Sequence, residues 1–196
     1  MKKLSLYIFL CLMWCNISLS DTTLSILNYT TGMSTKDIPC KMKSEDKFWS
    51  GGKIYWCTHT ISSYDKIVFW GNPKTKEVVK IFRYILIKTI DRQKVLENFK
   101  LEYGEPKDSL TVEKEIKFVW GDSYFDKTSN PGFAMINNDK VHGLGLSISI
   151  HICDNSARSR CDEFGIEVDQ SYTAILLMLW DVDRYSEAMK LYSKGY

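Results

Sequence analysis

Three observations predict an α+β fold, an antiparallel sheet of six to seven strands with few helices. Short runs rich in aromatic and β-branched residues recur along the chain and are separated by polar turns. The first three of these runs are spaced as an antiparallel meander. One segment, Ile90 to Tyr103, carries a clear helical period.

The elements follow in order. Gly32 to Ile38 reads as a short N-terminal helix, with Ser34 placed to cap and Asp37 three residues on. Pro39 ends it early. Lys53 to Thr60 (KIYWCTHT), Tyr64 to Trp70 (YDKIVFW) and Glu77 to Lys88 (EVVKIFRYILIK) read as three strands. In the helix at 90–103, Asp91 lies in the first turn. Val95, Leu96, Phe99 and Tyr103 share one face. Gly104 stops that helix and Pro106 prevents its resumption. Val112 to Trp120 reads as one strand, with Val112, Ile116, Phe118 and Trp120 on a common face. His142 to Cys153 alternates, with Leu144, Leu146, Ile148, Ile150 and Ile152 on one side. Tyr172 to Trp180 is a continuous apolar run, as expected of a central strand. Asp181 to Tyr192 closes the chain as a helix, with Asp181 as its cap. Residues 121–141 read as a long loop.

The first twenty residues read as a targeting segment. Lys2 and Lys3 precede the apolar run Leu4 to Cys15, and small residues stand at Ser18 and Ser20. That is the layout of a secretory signal peptide spanning 1–20. The apolar run is shorter than the roughly 20 residues a membrane helix needs. An uncleaved anchor is the alternative. The remainder, 21–196, reads as one domain, or as two packed halves of about 21–88 and 89–196. Each half opens on a helix signal and holds one cysteine pair.

The whole chain has 26 basic and 24 acidic residues, and the signal removes two lysines, so the mature chain is near neutral. No basic run with interleaved aromatics stands out, so nucleic acid is not an expected partner. Four cysteines remain after the signal: Cys40, Cys57, Cys153 and Cys161. An even number in an exported chain reads as two disulfides, for which three pairings exist. The local ones, Cys40–Cys57 and Cys153–Cys161, are expected, since each closes a short polar connection. His59 and His151 sit two residues from a cysteine, but Cys-x-His is not a zinc spacing, so no metal is expected.

The segment Gly32-Met33-Ser34 to Ile38, followed by Cys40, Cys57 and His59, resembles small exported bacterial proteins of the beta-lactamase-inhibitor-protein and BamE-like outer-membrane assembly type. Leu101 to Pro106 followed by Trp120-Gly121 resembles a helix, Tyr-Gly-x-Pro, strand, Trp-Gly pattern of periplasmic proteins. Pro39 shortens the first helix relative to that pattern, and neither Cys11 nor Cys15 makes a lipobox. The resemblance implies short helices on an antiparallel sheet and a periplasmic, non-enzymatic, protein-binding role.

Catalytic chemistry is sparse. No Gly-x-Ser-x-Gly, His-Glu-x-x-His, Gly-x-Gly-x-x-Gly or P-loop occurs. His59 and His151 fall inside expected strands, and His142 at a strand start. Asp162-Glu163 and Asp181 with Asp183 are acidic pairs, read as a solvated loop and a helix start. No catalytic residue and no cofactor is assigned. The aromatics point to binding. Phe48 and Trp49 stand between Cys40 and Cys57, and Tyr124, Phe125 and Phe133 lie in the 121–141 loop. Aromatics on loops are apt interface anchors.

The expectation is an exported module that binds another protein, as an inhibitor or an immunity-type protein. The alternatives are an envelope structural or assembly factor, and a secreted hydrolase using His142 or His151 with nearby acids. Asn28-Tyr29-Thr30 is a glycosylation sequon, which leaves a eukaryotic secreted protein open.

Overall fold

A computed structural model describes residues 24–46, 53–88, 91–112, 115–122, 143–153, 161 and 172–194. Its strands are β1 (Lys43–Asp46), β2 (Lys53–Ser62), β3 (Asp65–Gly71), β4 (Val78–Ile87), β5 (Asp108–Val112), β6 (Glu115–Gly121), β7 (Leu144–Ile152) and β8 (Thr173–Asp181). The helices are α1 (Arg92–Tyr103) and α2 (Val182–Tyr192). All eight strands form one antiparallel sheet in the order β1-β2-β3-β4-β8-β7-β6-β5. Two four-strand meanders thus meet along β4 and β8, where Lys80 pairs with Trp180 and Ile87 with Thr173. The α+β class and the antiparallel sheet are as the sequence predicts, with more strands than the six to seven expected.

The additional strands have physical reasons. β1 is Lys-Ser-Glu-Asp, an edge strand of charged residues that offers no apolar alternation to read. The expected single strand Val112–Trp120 is instead the β5–β6 hairpin, in which Val112 pairs with Glu115. Ile116, Phe118 and Trp120 do share a face, but Val112 belongs to the neighbouring strand.

The expected N-terminal helix is also corrected. Residues 31–40 are turns and bends, apart from a bridge from Ser34 to Glu77. Their backbone bonds go to the start of β4: Gly32 N donates to Val78 O at 2.7 Å, Val78 N to Met33 O at 2.9 Å, and Thr35 N to Lys76 O at 2.8 Å. The Ser34 hydroxyl accepts from Lys36 N at 3.2 Å, a turn two residues long rather than a helix cap. A strand edge out-competes a helix too short to nucleate.

The other helix ends are as expected. Asp91 accepts from Lys94 N and caps α1; Asp181 accepts from Arg184 N and caps α2. Gly104 ends α1 with φ of 79°, where a side chain would be strained. Val95 and Phe99 are buried, and Leu96 and Tyr103 pack against the same core.

Strand alternation divides the sheet into two faces. The first face carries Ile67, Phe69, Ile81, Leu177, Leu179, Leu146, Ile148, Ile150, Phe118 and Trp120, all buried. The N-terminal segment (Ile26, Ile38) and α1 cover it. At ~1.5–3 kcal/mol per buried large side chain, this layer dominates the stability. One charged pair sits on it: Arg83 donates to both Asp65 carboxylate oxygens, at 3.1 and 2.7 Å.

Helix α2 packs over the start of β4 through Ala188 and Tyr192, which are buried with Val79. Register shifts between Trp70 and Gly71, so Val79 is an extra residue in β4 at that point. The Tyr192 hydroxyl donates to Gly71 O at 2.5 Å, and burial pushes its pKa up. Tyr192→Phe is expected to cost about 1–2 kcal/mol, seen as a lower urea midpoint at unchanged slope.

Cys40 is bridged to Cys57 and Cys153 to Cys161, the two local pairings. No helix among the described residues is long and apolar enough to cross a membrane.

Candidate functional site

The second face of the sheet holds the site. Register places Lys66, Val68 and Trp70 of β3, Lys80, Phe82 and Tyr84 of β4, and Leu176, Met178 and Trp180 of β8 on that face. All but Lys80 are half-buried. Trp56 of β2 adjoins them, paired with Trp70. The rings touch one another. Trp70 and Phe82 have centroids 5.5 Å apart, Phe82 and Tyr84 6.3 Å, and Trp180 and Tyr185 6.4 Å.

Lys80 is the unusual member. It is 7% exposed, and its Nζ lies 4.1 Å from the Trp180 ring centroid, 4.6 Å from Tyr185, 4.8 Å from Phe82 and 5.6 Å from Trp70. Four ring faces hold the cation by their quadrupoles. Among the described residues no carboxylate pairs with it, and burial pulls its pKa from 10.5 down to about 7. The backbone explains the placement. Strand alternation sends position 80 to the same face as 82 and 84, opposite Trp180, while α2 brings Tyr185 over the top.

Further along the same face the surface turns polar. Ser147 and Ser149 of β7 and Lys117 of β6 are buried, at 5%, 8% and 4% exposure. Lys117 Nζ is 3.2 Å from Glu115, and His151 is the register partner of Glu115. This row was not expected, because alternation in β7 assigns its serines to solvent.

The anticipated binding residues Phe48, Trp49, Tyr124, Phe125 and Phe133 lie outside the described residues, as do His142 and the Asp162-Glu163 pair. His59 lies on β2, half-buried and paired in register with buried Ile67. Asp181 is engaged as a cap and with Arg184, which also binds Glu77 at 2.8 Å. Among the described residues no group of three His, Cys, Asp or Glu side chains is placed to hold a metal. The four cysteines are committed to disulfides.

The aromatic face is what the reading of the sequence missed. Its signal is present: aromatic or long apolar residues at alternate positions of two strands, 82 and 84 against 176, 178 and 180, with one lysine among them.

Comparison of the chain with protein-family models, with curated proteins and with solved structures found no match. The site is therefore read from its own chemistry.

Proposed function

We propose that this is an exported, non-enzymatic module that binds another protein through the aromatic face of its sheet. One observation carries the reading. Trp70, Phe82, Tyr84, Leu176, Met178 and Trp180 form a contiguous, half-buried surface at the centre of the sheet. Large rigid aromatics with part of their area still in water are the residues that dominate binding hot spots. Two disulfides support an oxidising compartment, and so agree with export through the 1–20 signal. Within that class, an inhibitor or immunity-type role fits such a surface. An envelope assembly role is the variant of the same reading.

The test is capture of a partner from an envelope extract of the source cell, using the wild type beside Tyr84→Ala/Leu176→Ala. These two residues are register partners on β4 and β8 and are only half-buried, so the fold is expected to survive with less than about 2 kcal/mol lost. The expected result is one enriched protein, at least tenfold depleted with the double variant. Equal capture by both would sink the aromatic face as the interface.

A secreted hydrolase is the second reading, favoured by the row of Ser149, Lys117, Glu115 and His151 on adjoining strands. A serine, a lysine, a carboxylate and an imidazole on neighbouring positions are the raw material of acyl transfer. The same preparation, assayed on p-nitrophenyl esters with His151→Ala as control, decides it.

A further inference from the structure

The aromatic face is uneven in charge. On the three central strands its only charged side chains are Lys66 and Lys80, with no carboxylate. Asp65 of β3 is on the opposite face with Arg83, Asp181 and neighbouring Glu77 are held by Arg184, Asp183 of α2 accepts from Gly143 N, and Glu187 of α2 is exposed. Two hydrogen-bond donors also stand at one register position. Of these, the indole Nε1 of Trp180 is enclosed with no acceptor among the described residues, and Lys80, its register partner, makes no hydrogen bond among them.

A donor buried without an acceptor costs stability, and so does an ammonium held among rings without a counter-charge. The group that complements the ammonium is an acceptor with a negative charge. A carboxylate is that group. It would restore the charge partner that an enclosed ammonium lacks. The surrounding rings would pack against the rest of the segment that carries it.

We propose that the aromatic face is a docking surface for a polypeptide segment that presents an aspartate, a glutamate or its C-terminal carboxylate to Lys80. This deepens the protein-binding reading and rests on it. The occupant is a protein, because the rings are spread over three strands, a span that suits an extended segment and not a small acid. Lys66, over the Tyr84 ring at 5.3 Å, adds a second cation along the same line. Docking of this kind reads both shape and charge, with the apolar rings giving contact area and the lysine giving register.

The experiment selects a phage-displayed library of random dodecapeptides on protein purified after expression of the full chain, and on its Lys80→Met variant. Lys80→Met keeps the length and removes the charge. Its folding is checked by thermal melting, and Trp180→Phe is measured beside it as a variant that keeps the charge but shrinks the ring beneath it. The expected result is enrichment of acidic peptides on the wild type alone. These would bind Lys80→Met at least tenfold more weakly, and would lose the same factor when their acid is replaced by its amide. Trp180→Phe is expected to lose less than Lys80→Met. Peptides that show no acidic bias, or that bind Lys80→Met equally well, overturn the inference. If such peptides are still lost with Tyr84→Ala/Leu176→Ala, the protein-binding reading stands without it. Wild type that ignores the library but binds a thymidine oligonucleotide through Lys80 overturns both.

Discussion

Lys80→Met is expected to stabilise the protein, by about 2–4 kcal/mol at pH 6 and by much less at pH 10. The sign follows from where the proton sits. In the unfolded chain the amine titrates at 10.5, whereas in the fold it titrates at about 7. Between those values the unfolded state holds more protons, so stability rises with pH across the window, by at most roughly 1.4 kcal/mol per unit. Below about pH 7 both states are protonated and the full cost of the buried charge is present. Methionine keeps the aliphatic body among the rings and removes the charge. Among the groups near Lys80, Tyr185 on α2 has its own pKa raised by burial. Lys66 lies on the same face of β3, and Asp181, Arg184 and Glu77 bind one another. Buried Tyr103 and Tyr192 also hold their protons above the usual range, so both proteins lose stability above about pH 10. The measurement is thermal melting from pH 5 to 10 for both proteins. A difference of roughly 5–10 °C that shrinks toward pH 10 is expected. Parallel curves would show that the lysine is not held uncompensated. A residue that weakens the fold and yet occupies the centre of the aromatic face is the pattern of a functional position.

Removing the Cys40–Cys57 bridge is expected to have the other large effect. Cys57 is 2% exposed on β2, and its partner lies in the segment that precedes edge strand β1. The bridge spans 17 positions, for which loop closure gives about 3 kcal/mol. Cys40→Ala/Cys57→Ala should therefore unfold at a clearly lower denaturant concentration. The Cys153–Cys161 bridge spans 8 positions, so its removal should cost less. Paired chemical denaturation of the two double variants tests the order. A larger loss from the shorter loop would show that local packing of Cys153 and Cys161, both fully buried with Leu86 and Ala174, outweighs chain entropy.

Much of the architecture was legible because it rests on short-range pattern. The β2–β3–β4 meander, the alternation of β7, the central position of β8 and the two capped helices each have a local signal. What was not legible depended on pairing. β1 lacks apolar residues and is a strand only because β2 offers an edge. The two residues between β5 and β6, Glu113-Lys114, include no Gly, Pro, Asn or Asp, so the sequence reads as one strand there. The segment after Gly32 has helix-like capping residues but finds its partners on β4. The aromatic face was hidden for a similar reason. Tyr172 to Trp180 is apolar throughout, and a continuous apolar run does not say which alternate half stays open. Lys80 looks like an ordinary solvent-facing position until β8 and α2 enclose it.

The seam between β4 and β8 also constrains how the chain is made. Lys80 and Trp180 are register partners 100 positions apart. During synthesis or translocation the first meander can assemble alone, but β4 then stands as a bare edge of Val, Ile, Phe, Tyr and Leu side chains. It stays so until the last strand emerges, a long interval in which that edge can recruit a wrong strand. Such distant pairing slows folding. A co-expressed holdase is therefore expected to raise the yield, and truncation before residue 173 is expected to leave a first half that aggregates.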